Sequence, residues 1–159
     1  MIDKLYLSLY RCFTFLFFPF SKPVIKWRIK RGKEHAIRWR EKLGEPSVER
    51  PSGKLIWLHA VGLGEVLALR GLILELHKKD RNLNFLVTSS TVFSAEVFEK
   101  NCPPKTIHQF LPYDVKIYGK RFLRHWKPDL VIWSEQDVWP GLSCQASNFG
   151  IKQVLVNGK

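Results

Sequence analysis

Apolar and polar positions alternate in blocks along most of the chain, and each block has the length of a strand or a helix. Short apolar runs predict strands over residues 54–61, 84–90, 108–114, 129–136 and 152–158. Apolar residues at helical spacing predict helices over residues 64–80, 94–101, 115–126 and 141–149. Nearly continuous apolar strands that alternate with helices are typical of a parallel sheet covered on both faces. The pattern therefore predicts an α/β, Rossmann-like fold.

The first thirty residues follow a different pattern. An almost wholly apolar and aromatic run, LYLSLYRCFTFLFFPF (5–20), precedes the basic stretch KPVIKWRIKRGK (22–33). The run is shorter than the roughly 20 residues that span a bilayer, and Pro19 and Pro23 interrupt it. It lacks the small-residue cleavage site of a signal peptide. We expect residues 1–30 to be an interfacial anchor on the cytoplasmic face of a membrane, with a buried N-terminal helix as the alternative.

The segment RGKEHAIRWREKLG (31–44) predicts a short basic helix that ends near Gly44. A linker rich in proline, serine and glycine follows over residues 46–54. These boundaries predict a Rossmann-like domain over residues 31–159, placed after the anchor.

The formal net charge of +12 is concentrated near the N-terminus. Residues 1–50 contain twelve Lys and Arg against five Asp and Glu, which indicates a polyanionic partner. The neighbouring apolar run favours anionic membrane lipids over nucleic acid, for which the chain carries no recognised motif.

Three cysteines, Cys12, Cys102 and Cys144, lie far apart and never in a CxxC pair. This spacing argues against a disulfide framework and a zinc site, and it fits a reducing compartment. The carboxylates and histidines also lack a convincing metal-ligand spacing, so we expect neither a metal nor a cofactor.

Polar residues gather where the predicted strands end. They are His59 and the loop to Glu65, residues 88–91, 113–114 and 135–137, and Asn157. Ligands of parallel α/β sheets bind beyond the carboxyl ends of the strands, so these positions form the candidate site.

The loop HAVGLGEVLAL (59–69) resembles a phosphate-binding loop only in part. Gly62 and Gly64 supply GxG, but the third glycine of a dinucleotide loop and the Lys-Ser/Thr of a P-loop are missing. Glu65 instead stands at the start of a helix, where the macrodipole favours an ionised carboxylate that can accept a proton. The alternative is a glutamate that only caps the helix.

Three further candidates have two interpretations each. His59 at a strand end is a binding residue or, as lone histidines often are, a hydrogen-bonded structural one. Glu135 and Asp137 could hold a metal, accept hydrogen bonds from sugar hydroxyls or pair with a cation. They could equally be two solvated carboxylates in a loop.

Five short motifs, in order, resemble the N-terminal domain of bacterial 3-deoxy-D-manno-octulosonic acid (Kdo) transferases. IWLHAVGLGE (56–65) resembles a motif usually written with His, then Ser-Val-Gly-Glu, and FLPYD (110–114) resembles a Leu-Pro-Tyr-Asp element. EQDVWP (135–140) resembles Glu-x-Glu-Leu-Trp-Pro. Residues 31–44 resemble the family's basic segment, and VLVNGK (154–159) the start of its Asn-Ala-Arg segment.

The resemblance implies the N-terminal half of a GT-B glycosyltransferase that transfers Kdo from CMP-Kdo to a lipid A precursor, with inversion at the anomeric carbon. It implies that Glu65 is the general base. It also implies that the anchor lies on inner-membrane lipids, at the cytoplasmic face of the cell inner membrane. Lys30, Arg31 and Lys33 become candidates for acceptor phosphates or lipid head groups, or a plain solvated basic face. His59, Glu135 and Asp137 become candidate substrate-binding residues.

The chain departs from the family pattern at several positions. Gly62 replaces the motif serine, Asp137 shortens the second carboxylate, and residues 88–95 lack the family's Pro-Thr-Gly. The resemblance also implies that the C-terminal, donor-binding domain lies outside these residues. We therefore expect the chain to be the N-terminal half of a transferase that works with a separately encoded C-terminal partner. The alternatives are a truncated remnant and a non-catalytic membrane-surface binding module that retains the fold.

Overall fold

Five parallel strands form one sheet in the spatial order β3-β2-β1-β4-β5. The computed structural model describes residues 2–134 and 138–156. The strands are β1 (Leu55–His59), β2 (Asn84–Ser89), β3 (Thr106–Phe110), β4 (Leu130–Ser134) and β5 (Lys152–Val156). The α/β, Rossmann-like prediction is confirmed, because every strand pairs in parallel with its neighbours.

Six α-helices accompany the sheet in the described part of the chain. They are α1 (Ile2–Phe17), α2 (Ser21–Lys30), α3 (Leu63–Lys79), α4 (Val92–Lys100), α5 (Lys116–Trp126) and α6 (Pro140–Asn148). The last four are the crossover connections that parallel strands require.

The two faces of the sheet are covered by different helices. Side chains alternate along a strand, so Leu55 and Trp57 of β1 point to one face and Ile56 and Leu58 to the other. The first pair joins a core with α5 and α6, and the second pair joins a core with α3 and α4. All five residues of β1 are buried, which explains why this strand reads as a continuous apolar run.

The N-terminal helices pack against the domain along one side only. Ile25 of α2 is fully buried, and the ring of Phe17 meets Tyr113 edge-on at a centroid distance of 5.5 Å. The hydroxyl of Tyr10 donates to Asp114 Oδ2 at 2.6 Å. The other side of α1 is exposed, so the helix is neither fully buried nor fully free.

A short 3-10 turn, Phe18–Phe20, separates α1 from α2. Pro19 lies at the start of this turn, where its missing N–H costs no helical hydrogen bond. Among the described helices, none has the length and apolar character needed to cross a membrane.

The predicted helix over residues 31–44 is wrong in its first half. Residues 31–37 form turns, and a 3-10 helix covers Arg38–Leu43 before ending at Gly44 as predicted. Glu41 explains the irregular backbone, since its buried carboxylate accepts hydrogen bonds from Arg38 and from the backbone N–H of Phe110 at 2.7 Å. The segment is fixed by contacts with β3 and not by its own helical periodicity.

The predicted strand over residues 108–114 is displaced in the structure. Strand β3 begins at Thr106 and ends at Phe110, so Leu111 to Asp114 leave the sheet. Pro112 has no N–H to donate to a neighbouring strand, which favours this early exit. Tyr113 and Asp114 therefore lie beyond the carboxyl edge of the sheet.

We predict that Gly44→Ala destabilises the chain by about 3 kcal/mol or more, because the backbone is left-handed (φ 72°) and the added Cβ would overlap the carbonyl of Tyr118. Gly32 is the matched control, since it is also left-handed (φ 67°) but has no atom within 4 Å of the new Cβ. Gly32→Ala should cost only about 1 kcal/mol of backbone strain. Urea unfolding measures both, and equal losses would contradict the packing argument.

Candidate functional site

Parallel pairing brings the ends of the described strands to one edge of the sheet. His59 ends β1 and Ser89 ends β2, and these strands are direct neighbours. Phe110 ends β3 on the other side of β2. Helices α3 and α4 begin at the same edge, so two helix N-termini and the polar loop residues lie together there.

Glu65 lies in the first turn of α3 and turns back over the loop that precedes it. Its Oε2 accepts hydrogen bonds from the backbone N–H groups of Val61 at 3.1 Å and Gly62 at 3.3 Å. Gly62 is the residue before the helix and has no side chain to cap it, so the glutamate alone performs this task. The capping interpretation of Glu65 therefore matches the geometry.

The same geometry leaves one oxygen of Glu65 available for chemistry. Within the described residues, Oε1 has no recorded hydrogen bond, and the side chain is only partly buried. Two backbone donors fix the orientation of the carboxylate through Oε2. Capping thus uses one oxygen of the side chain and leaves the other without a hydrogen bond among the described residues.

His59 lies beneath the edge and not on its surface. The residue is fully buried, and its Nδ1 lies 2.9 Å from Thr88 Oγ1 and 3.0 Å from the Thr88 carbonyl oxygen. Burial, together with the nearby charge of Lys42, lowers the pKa of His59 to about 3, so the ring is neutral at pH 7. These contacts agree with a structural histidine, and a substrate-binding role stays a prediction.

The predicted cations Lys30, Arg31 and Lys33 are all exposed. Lys30 is the last residue of α2, and the guanidinium of Arg31 stacks on the ring of Trp27 at 4.0 Å. The structure therefore presents them to solvent beside the N-terminal helices, a position suited to a charged surface. Their binding role stays a prediction.

Glu135 and Asp137 lie outside the described residues, as does Asn157. Elsewhere, in residues 2–134 and 138–156, no three His, Cys, Asp or Glu side chains come close enough to hold a metal ion.

A cleft of about 320 Å³ opens at the carboxyl edge, between the N-terminal helices and the ends of β2 and β3. Lys42 lies in its wall, only 4% exposed, and its Nζ donates to the carbonyl oxygen of Ser90 at 2.9 Å. Burial lowers the pKa of Lys42 to about 8. Arg28 and Glu34 also line the cleft and form an ion pair at 2.9 Å.

These three cleft residues were not among the predicted site residues. Lysine and arginine usually remain in solvent, so sequence alone gave no reason to separate Lys42 from the surrounding basic residues. Its neighbours Glu41 and Leu43 are also buried, which only the structure shows.

Asp114 holds the N-terminal helices to this edge. Its Oδ2 accepts from Tyr10 and from the backbone N–H of Gly141 at 2.7 Å, so the carboxylate caps α6 while binding α1. Burial raises the pKa of Asp114. The acidic residue of the FLPYD motif therefore has a structural task in this chain.

Comparison with known proteins gives a consistent result. A family profile described as 3-deoxy-D-manno-octulosonic-acid transferase (kdotransferase) matches residues 37–159. The chain belongs to this family. The match includes the loop that carries Glu65, and it begins after the two N-terminal helices.

Named relatives match the chain over nearly its whole length. A probable 3-deoxy-D-manno-octulosonic acid transferase, mitochondrial, of Arabidopsis thaliana is 41% identical over 95% of the chain. The 3-deoxy-D-manno-octulosonic acid transferases of Rickettsia bellii and Chlamydia muridarum are 36% and 28% identical over 96% and 95% of it. The chain spans 34% to 36% of the length of these three relatives.

Proposed function

We propose that the chain is the N-terminal, acceptor-binding part of a Kdo transferase that moves Kdo from CMP-Kdo to a lipid A precursor. The observation that carries the proposal is the placement of Glu65 at the carboxyl edge of the sheet, with one carboxylate oxygen fixed by backbone donors. Family membership supports the reaction class. The fold supports the site, because ligands of such sheets bind at this edge.

In the proposed reaction, Glu65 acts as a general base. Its carboxylate removes the proton from an acceptor hydroxyl while that oxygen attacks the anomeric carbon of Kdo. The new glycosidic bond forms as the bond between the anomeric carbon and the CMP phosphate oxygen breaks, so the configuration inverts and CMP leaves. A positioned base and correct orientation of both substrates supply the catalysis.

CMP-Kdo requires groups beyond those that this edge provides. The relatives are about three times as long as the chain, and we propose that a further, donor-binding domain, in the same or a separate polypeptide, completes the enzyme. His59, Glu135 and Asp137 remain proposed substrate-binding residues of the acceptor side.

We also propose that the chain works on the cytoplasmic face of the cell inner membrane. Apolar residues recur along the exposed side of α1 at helical spacing, namely Tyr6, Leu9, Phe13 and Leu16, and the exposed Phe20 follows them in the 3-10 turn. This apolar stripe and the exposed cations Lys30, Arg31 and Lys33 lie on adjacent segments. Together they suit a surface that holds apolar side chains and attracts anionic lipid head groups.

We predict Kdo transfer when membranes carrying the chain receive CMP-Kdo and lipid A precursor, either alone or with a polypeptide that supplies the remaining part of a relative. Glu65→Gln should lower the transfer rate at least about 100-fold, because an amide cannot accept the proton. It should leave the stability nearly unchanged, because the amide oxygen still caps α3. Glu65→Ala should lose the same activity and about 1 kcal/mol of stability.

Transfer assays and urea unfolding of the same preparations separate these effects. Near-normal turnover by Glu65→Gln would refute the base assignment. No transfer by the unaltered chain in either arrangement would refute the proposed activity.

We predict that the chain floats with vesicles containing phosphatidylglycerol, and that Phe13→Asp with Leu16→Asp reduces the bound fraction several-fold, since both side chains are exposed (71% and 67%). Val48→Asp is the matched control, because Val48 is also exposed (47%) but lies outside the stripe. Equal binding by the double variant and the unaltered chain would contradict the membrane proposal.

A further inference from the structure

The cleft beside the carboxyl edge contains an unusual cation. Lys42 is almost fully buried, whereas lysines are rarely so unless a carboxylate pairs with them. An ammonium carries three donor hydrogens, and the recorded acceptor for Lys42 is the single carbonyl oxygen of Ser90. Two donors are therefore without an acceptor among the described residues.

The neighbouring carboxylates are engaged elsewhere. Glu41 accepts from Arg38, Ser47 and the backbone N–H of Phe110. Glu34 accepts from Nε of Arg28 at 2.9 Å. Within residues 2–134 and 138–156, no carboxylate oxygen lies within ion-pair distance of the Lys42 ammonium.

The charges that line the cleft leave an excess of one positive charge. Arg28 and Lys42 are cationic and Glu34 is anionic. The ion pair uses Nε of Arg28, and the other guanidinium nitrogens have no recorded acceptor in the described part of the chain. Both Lys42 and Arg28 can therefore donate hydrogen bonds to an anion in the cleft.

The remaining walls are mainly apolar and aromatic. Phe17 and Val24 come from the N-terminal helices, and Tyr113 and Trp139 come from the loops beyond the sheet. Aromatic faces of this kind pack against the apolar side of a sugar ring, while the cations hold a charged substituent. Phe17 also connects the cleft with α1, which carries the apolar stripe.

We propose that this cleft binds a phosphate monoester on the sugar of the acceptor glycolipid, with Lys42 and Arg28 as its hydrogen-bond donors. The inference rests on the proposed function, since the acceptor is taken to be a phosphorylated glycolipid. It assigns the phosphate to a buried site, distinct from the exposed cations that face the lipid surface.

A phosphate monoester suits the site better than a carboxylate. It carries about −1.5 to −2 charges at pH 7 and three acceptor oxygens, enough to neutralise the cleft and satisfy the unused donors. Lys42, with its pKa lowered to about 8 by burial, is still protonated at pH 7, and a bound anion would raise this pKa.

The test measures binding to zwitterionic vesicles that contain the lipid A precursor, the same precursor treated with phosphatase, or phosphatidylglycerol. We expect the unaltered chain to bind the phosphorylated precursor roughly tenfold more tightly than the treated one. Lys42→Met should abolish this preference while leaving binding to phosphatidylglycerol unchanged. Methionine matches the lysine stem in length and fills the same buried space, while it removes the ammonium together with its contact over the ring of Phe110.

Three further variants sharpen the result. Lys26→Met removes an exposed charge from α2 and should keep the preference. Lys42→Arg should keep most of the preference for the phosphorylated precursor. Arg28→Gln should weaken this preference, and it tests the cleft even if the Lys42 variants do not fold. The proposal would be overturned if both Lys42→Met and Arg28→Gln kept the preference for the phosphorylated precursor. It would also be overturned if Lys42→Met reduced binding to phosphatidylglycerol as much as binding to the phosphorylated precursor.

The assay contains no CMP-Kdo, so its outcome is independent of catalysis. Phosphate-dependent binding without transfer would retain the cleft assignment and contradict the proposed activity. If Lys42→Met changed neither Kdo transfer nor the preference for the phosphorylated precursor, the proposed activity would stand and the cleft assignment would be contradicted.

Discussion

Parallel pairing of the strands is the constraint from which the rest of the structure follows. Each strand must be followed by a crossover, so the chain leaves the sheet at the same edge every time. Strand β1 lies between β2 and β4 and is buried on both faces. Helices α3 and α4 cover one face and α5 and α6 the other. The polar residues that end the strands are thereby collected beside two helix N-termini.

The same edge also holds the N-terminal helices. Asp114 lies in the loop after β3, where it caps α6 and accepts a hydrogen bond from Tyr10 of α1. Glu41 connects the basic 3-10 segment to Phe110 at the end of β3. Through these two carboxylates, the apolar stripe, the exposed cations and the Lys42 cleft are fixed relative to the loop that carries Glu65. The proposed base and the surface proposed to receive a membrane-bound acceptor are thus connected through hydrogen bonds.

Periodicity predicted the strands and crossover helices because local preference and tertiary packing agree there. It failed for residues 31–37 and for the bounds of β3, where contacts distant in sequence and Pro112 decide the backbone. The position of Glu65 at a helix start left a capping role and a proton acceptor open, and only the family resemblance pointed to a base. The structure shows that one oxygen caps the helix. Lys42 could not be singled out, because burial of a lysine depends on neighbours from β2, β3 and the N-terminal helices.

Hydrogen exchange of the backbone amides, with and without lipid A precursor, tests most directly whether the carboxyl edge binds the acceptor. The amides of Val61 and Gly62 donate to Glu65 itself, so their exchange reports on the proposed base. Acceptor binding should protect these amides and those of the non-proline residues in 89–92 and 111–114, and leave the amides of the opposite loops, 80–83 and 127–129, unchanged. Protection confined to the opposite loops, or no change at Val61 and Gly62, would contradict the account.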